Sequence, residues 1–329
     1  MVSLITGGAG FIGSHLAERL LAGGDEVLVI DNFSTGRREN VEHLLGNPRF
    51  RLVYGDILDS EDLELLIAGS DIVYHLAAAV GVKLVLSQPL ESLRINVRGT
   101  ERVIELASCH RKKVFLASTS EVYGKNGHRR LKETDDRVLG PATVTRWGYS
   151  ISKAFDECLA LAYHQEAALE VVIVRFFNIV GPRQTGRYGM VLPTFVRQAL
   201  SGEPITVYGD GKQVRTFTYV GDAVEATIKL AQHPKAVGEI FNVGSSDSLT
   251  INQLAALVKQ EAGSSSEIVH IPYEEAYGAN FEDMRERVPS VSKLRAFTGF
   301  EAGTPLDRVI REVIEDCRCE RPESVRCAA

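Results

Sequence analysis

Tyr149 and Lys153 stand four residues apart in the stretch Thr145-Arg146-Trp147-Gly148-Tyr149-Ser150-Ile151-Ser152-Lys153. On a helix this spacing stacks phenol and ammonium one turn apart on a single face. A free phenol ionises near pH 10, too high for a base at neutral pH. A neighbouring ammonium favours the phenolate and lowers that value. The pair could then take a proton from a hydroxyl while hydride leaves the same carbon. Many helices carry Tyr-x-x-x-Lys by chance, so its meaning depends on what the rest of the chain sets beside it.

The first thirty residues supply a partner for hydride. An apolar run, Val2 to Ile5, leads into Gly7-Gly8-Ala9-Gly10-Phe11-Ile12-Gly13. An amphipathic segment, His15 to Leu21, and a second apolar run, Val27 to Ile30, follow and end at Asp31. Gly7 would permit the tight turn, Gly10 the approach of a pyrophosphate, and Gly13 close helix packing. Asp31 would accept hydrogen bonds from an adenosine ribose and repel a 2′-phosphate, which favours NAD over NADP; Arg37 and Arg38 pull the other way.

These residues need a frame, and the pattern provides one. Strands are expected at Arg51–Tyr54, Asp71–Leu76, Lys113–Ala117 and Val171–Arg175, with helices between them, one from about Leu90 to Cys109. Alternation of this kind predicts an α/β fold with a doubly wound parallel sheet and a site at the strands' C-terminal ends. Asp56 is placed to meet an adenine. Small residues Ala77-Ala78-Ala79 would let a cofactor lie against the backbone, and His75 reads as a packed strand-end residue. Ser118-Thr119-Ser120-Glu121-Val122-Tyr123-Gly124 leaves the fifth strand toward the cleft that Tyr149 faces.

Composition narrows the class. The 329 residues are 44% hydrophobic and 24% charged, enough for a large core. A net charge of −6 argues against a nucleic-acid surface. No apolar run is long enough to span a bilayer, and the opening residues lack the segments of a signal peptide. The five cysteines are scattered, Cys317 and Cys319 forming the close pair, and read as reduced thiols of a cytoplasmic protein without a metal site.

Taken together, the glycine loop, Asp31, Ser118 to Glu121, Tyr149-x-x-x-Lys153 and Arg175-Phe176-Phe177-Asn178-Ile179-Val180-Gly181-Pro182-Arg183 resemble the extended short-chain dehydrogenase/reductases. These are NAD-dependent nucleotide-sugar epimerases, dehydratases and decarboxylases, and the resemblance covers almost the whole chain. It implies a Rossmann-type sheet over residues 1–178, to which 216–243 return. A smaller substrate domain would take the rest of 179–329. In that family Tyr149 would be the base, Lys153 its electrostatic partner and ribose anchor, and Thr119 a partner of the reacting oxygen. NAD would be held by Gly7, Gly10, Phe11, Ile12 and Gly13, by Asp31, Asn32, Asp56 and Ile57, and by Leu76, Ala77 and Ala78, with Asn96 supporting that side. The resemblance also implies a homodimer packed through helices near 90–109 and 148–167.

For the substrate half, the resemblance implies a UDP-sugar whose diphosphate meets Asn178 and Arg215, with the strand Ile205–Tyr208 along the base. Arg183 and Tyr208 belong to this set, as does Tyr277. Gly140-Pro141 with Arg146-Trp147-x-Tyr149, and Tyr277-Gly278-x-x-Phe281-x-Asp283 with Arg287-Val288-Pro289, resemble the decarboxylases that act on UDP-glucuronate. In that group Arg146 would lie near the sugar acid and Arg287 near the nucleotide, while Ser120 and Glu121 would guide the 5-carbon through reprotonation. One departure stands out. UDP-xylose synthases carry tyrosines before Gln88-Pro89, where this chain has Val82-Lys83-Leu84-Val85-Leu86-Ser87. Lys83 could hold the carboxylate instead, although Ala79-Val80-Gly81 is more like a 4-epimerase. The expectation is an NAD-dependent UDP-glucuronate decarboxylase. A 4-epimerase of UDP-glucose or UDP-glucuronate is the alternative, and a non-catalytic NAD-binding scaffold the remote one.

Overall fold

Six apolar runs build the centre of the molecule: β1 (Val2–Thr6), β2 (Glu26–Asp31), β3 (Phe50–Tyr54), β4 (Ile72–His75), β5 (Lys113–Thr119) and β6 (Val171–Phe176). β4 and β6 are buried at every residue and β1 at all but its first, as parallel strands are when helices cover both faces. The computed structural model describes residues 1–278 and 281–319. In it the six strands and Glu239–Val243 form one seven-stranded parallel sheet, in the order Glu239–Val243, β6, β5, β4, β1, β2, β3. The chain reverses direction across the sheet between β1 and β4, and the crevice at that switch point is where such sheets bind ligands.

Helices α1 (Phe11–Ala22), α2 (Asp62–Ala68), α3 (Val82–Ser87), α4 (Pro89–Cys109) and α5 (Trp147–Ala167) connect the strands. Leu16 and Leu20 of α1 join Val224 and Leu230 of helix Val220–Gln232 in a core on one face. On the other, Val103, Ile104 and Ala107 of α4 and Ala160 of α5 pack over Val73, Val114, Leu116 and Ile173. α1 begins at Phe11, earlier than the amphipathic pattern predicts, because Gly10 caps it with extended backbone. A Cβ at Gly13 would lie 2.4 Å from the Gly7 carbonyl oxygen, so the turn and the first helical turn fit together only around glycine. The stretch 82–87 is the short helix α3. It starts from Gly81 at φ +117°, a conformation that glycine tolerates.

The remaining elements form a second core in which helices Val191–Ser201, Ile251–Glu261 and Leu306–Cys319 surround strand Ile205–Tyr208. That strand pairs in parallel with Ile268–Ile271. Strand Val214–Thr216 lies between Ser248–Thr250 and Glu286–Arg287, and its register sets Arg215 directly opposite Arg287. No helix among the described residues is long and apolar enough to cross a membrane.

Candidate active site

A cleft of about 790 Å³ runs from the glycine turn, past the C-terminal ends of the strands, to Arg215 and Tyr277. At one end Gly7 adopts φ +72°, and a Cβ there would lie 2.8 Å from the Ala77 nitrogen. The turn and the segment after β4 therefore close on each other, while Gly10, Phe11, Ile12 and Gly13 open to the cleft. The unpaired N–H groups of a helix start suit a pyrophosphate.

Asp31, at the tip of β2, accepts the Ala9 N–H at 2.9 Å and the Phe33 N–H at 2.8 Å. Burial pushes its carboxyl up and these two donors pull it back. Asn32 donates to Asp56 at 2.7 Å, and Asp56 also accepts the Leu58 N–H at 2.8 Å, so both acids are fixed before any ligand arrives. Ile57, Leu76 and Ala78 line the same arm. Asn96 is buried behind it, bonded to both backbone polar groups of Ala79. Its part is to prop the segment after β4. This set fits NAD: a glycine cradle that a Cβ would fill, and a carboxylate at the end of the second strand.

The centre of the cleft holds Thr119, Ser120, Glu121, Tyr149 and Lys153. β5 runs as far as Thr119, whose hydroxyl caps the short turn Ser120–Tyr123 by accepting the Glu121 N–H at 3.2 Å. Here the structure corrects one expectation. The Tyr149 phenol is pushed up by burial, then by the charges of Glu121 and Asp156, and is lowered by the Thr119 hydroxyl and Arg287. Lys153 does not act on it as a free ammonium, because its Nζ lies 2.8 Å from the buried Asp156 carboxylate.

Beyond the centre, three guanidinium groups meet two carboxylates. Arg146 approaches Glu121 and Asp283, each at 3.2 Å. Arg287 donates to Glu121 and to the Asn178 side-chain oxygen, and Arg215 reaches Asp283 at 3.0 Å. Burial pushes Glu121 up, but Arg146 and Arg287 outweigh it and hold the group near about 2. Glu121 is therefore ionised at neutral pH, held between the two guanidinium groups. It can accept a hydrogen bond or a proton. Burial brings Arg215 down to about 10, which leaves it cationic. Arg146 Nε and Arg287 Nε are buried without a hydrogen-bond partner.

Aromatic rings wall this end. Tyr277 stacks on Phe281 at 4.2 Å, Tyr208 meets Tyr277 edge-on at 5.2 Å, and Arg146 lies 5.0 Å from the Phe281 ring centre. Asn178, in a left-handed conformation at φ 42°, also donates to the Thr216 carbonyl at 2.8 Å. Lys83 is exposed at the rim on α3. Arg183 has partners on α1 that the sequence does not point to. It lines the cleft, and its guanidinium bonds Glu18 at 2.6 Å and Ser14 at 3.3 Å on α1. Two acids escaped the sequence reading. Asp283 was visible only as part of a motif, and Asp156 carried the signal of lying three residues beyond Lys153 on the same helix face.

Comparison with known proteins agrees with this geometry. Residues 3–244 match the model of the NAD dependent epimerase/dehydratase family. The chain is 45% identical to a UDP-N-acetyl-alpha-D-glucosaminuronate decarboxylase of Bacillus cytotoxicus, over 95% of this chain and 96% of that protein. It is 38% identical to UDP-glucuronic acid decarboxylase 1 of Arabidopsis thaliana, over 96% of this chain and 69% of that one. Among solved structures, UDP-glucuronic acid 4-epimerase from Bacillus cereus, in complex with UDP-glucuronic acid and NAD, superposes with a TM-score of 0.88. It is 28% identical, over 98% of this chain and 100% of that one. The chain belongs to the NAD dependent epimerase/dehydratase family and is an NAD-dependent enzyme of the extended short-chain dehydrogenase/reductase type.

Proposed function

We propose that this enzyme decarboxylates a UDP-hexuronate, UDP-glucuronate or its 2-acetamido analogue, to a UDP-pentose. The observation that carries the reading is the group of Arg146, Arg215 and Arg287 beside Thr119 and Tyr149. A UDP-uronate brings a diphosphate and a carboxylate into a cleft where an unpaired charge is costly, and guanidinium groups suit both anions. The names of the most similar curated relatives support the same reaction class.

Bound NAD would supply one thing, reversible oxidation of the sugar at C4, and would rest on the glycine cradle and Asp31. The protein's own residues do the remainder. Tyr149 takes the proton of the 4-hydroxyl and, now a phenol, donates a hydrogen bond to the resulting ketone oxygen, with Thr119 beside it. A 4-ketone is β to the carboxylate, so the C–C bond electrons pass onto that oxygen as carbon dioxide leaves. Tyr149 and Thr119 then stabilise the enolate until its C5 takes up a solvent proton by way of Ser120 and Glu121, and Tyr149 gives its proton back to O4 as C4 is reduced. Glu121 holds Arg146 and Arg287 and accepts a hydrogen bond or proton from substrate or water.

The test is incubation with NAD and each of UDP-glucuronate, UDP-N-acetylglucosaminuronate and UDP-glucose, followed by mass spectrometry and proton NMR. A product lighter by one carbon dioxide supports the reading. A 4-epimer of unchanged mass with neither uronate decarboxylated would overturn it. Arg146→Ala should weaken uronate turnover far more than UDP binding.

We further infer a homodimer through α4 and α5. Leu90 is 80% exposed and Ile151 and Phe155 are each 44% exposed on these neighbouring helices, apolar side chains that a partner helix pair would cover.

A further inference from the structure

Tyr149, Lys153 and Asp156 occupy positions i, i+4 and i+7 of α5 and so share one stripe of the helix. Lys153 is 3% exposed and Asp156 fully buried, with an ion-pair distance of 2.8 Å. Neither Asp156 oxygen has a hydrogen bond of ordinary geometry, so Lys153 is its principal support. From α4 the Thr100 hydroxyl faces the carboxylate and lies 3.0 Å from His75 Nε2 on β4. The other ring nitrogen of His75 lies 2.8 Å from Thr6 Oγ1 on β1. Burial, with Lys153 adding, drives His75 down to about 3, so the ring is neutral at physiological pH. Glu157, the next acid along α5, is taken by Arg175 of β6 at 2.8 Å.

Packing does not account for Asp156. A buried carboxylate is costly unless paired, and an apolar residue would fill the same space between α4 and α5. We propose that Asp156 is a positioning residue that acts through Lys153, fixing its ammonium beneath Tyr149 and offsetting its charge so that the phenol keeps its proton to higher pH. The proposal rests on the reading of Tyr149 as the base. The charged groups that bear on that phenol are Glu121 from the turn after β5, Arg287 from strand Glu286–Arg287, and Asp156 from its own helix; Lys153, one turn along that helix, stands in the ion pair with Asp156. Among the acids, Asp156 is the one whose carboxylate is in contact with Lys153. The base thus lies at the end of a line of alternating charge, and the middle member is neutralised from behind.

The experiment uses the full-length chain and the variant Asp156→Asn, which keeps the volume and an oxygen for Lys153 but removes the charge. Ultraviolet titration of phenolate, taken as the difference from the same protein carrying Tyr149→Phe, reads Tyr149 alone and needs no substrate. We expect its ionisation to move about one pH unit lower, and the acidic limb of kcat on the UDP-sugar to move with it. Asp156→Glu, which keeps the charge, should titrate like the parent. If Asp156→Asn is insoluble, Asp156→Ser is read in the same way. A phenol that titrates unchanged or higher in the uncharged variant, or turnover that falls equally at every pH, would overturn the proposal. Turnover retained by Tyr149→Phe would instead sink the reading of the base, a result the titration of Asp156→Asn does not share.

Discussion

Replacing Glu121 by glutamine tests how much of the site's order is electrostatic. The wild-type side chain is 14% exposed and bonded to both Arg146 and Arg287. Its carboxyl is displaced from an ordinary 4.5 to about 2, and each unit corresponds to about 1.4 kcal/mol. The ionised form therefore contributes about 3 kcal/mol to folding. Because the folded value is the lower one, this stability is fully present above pH 4.5 and is lost as pH falls toward about 2. About half should be gone near pH 3.3. Glu121→Gln cannot titrate, so urea denaturation at pH 7 should find it about 3 kcal/mol less stable. The gap between the two proteins should narrow steadily between pH 5 and pH 3. Three guanidinium groups facing Asp283 alone would act in the same direction. A penalty below about 1 kcal/mol at pH 7, or a gap that stays constant down to pH 3.5, would refute the account of Glu121 as an ionised clamp. In the activity assay the same variant should suppress carbon dioxide release while some NADH still forms.

Tyr149→Phe keeps the ring and removes the ionisable oxygen, so turnover should fall on the order of 10²-fold or more while NAD still binds by fluorescence titration. NAD should bind appreciably tighter than NADP, and Asp31→Ala should narrow the difference; equal affinities in the parent chain would contradict the role given to that carboxylate. Phe155→Arg with Leu90→Glu should yield a monomer by light scattering with the sheet intact by circular dichroism. A parent chain already monomeric at micromolar concentration would remove the proposed α4 and α5 interface.

The sheet was legible because its signals are local. Apolar runs, the glycine turn and an acid at the end of the second strand each fit within a few residues, and their order implies the topology. The nature of the arginine site was less so. Arg215 and Arg287 meet because two strands distant in sequence pair in register, and nothing in either local stretch encodes that pairing. The bond of Arg183 to Glu18 of α1 was hidden for a related reason, since it joins residues far apart in the chain. Lys153 was visible as a partner of Tyr149, but its pairing with Asp156 depends on burial of that face of α5 against α4. The short helix α3 was missed because 82–87 is too brief to show a period.

Strand Glu239–Val243 closes the outer edge of a sheet whose preceding strand, β6, ended at Phe176. On the ribosome this means a long wait. From the emergence of β6 until about 60 further residues have followed, the buried edge Val171–Phe176 has unpaired amides and carbonyls and an apolar sequence, the pattern that invites pairing with another chain. A fragment cut after Asn178 would carry that open edge permanently, and would aggregate even though it holds every residue of the glycine cradle. The nucleotide-binding half is thus not an autonomous translation product. Its sheet is completed only when the chain has emerged as far as Val243, about 60 residues beyond β6.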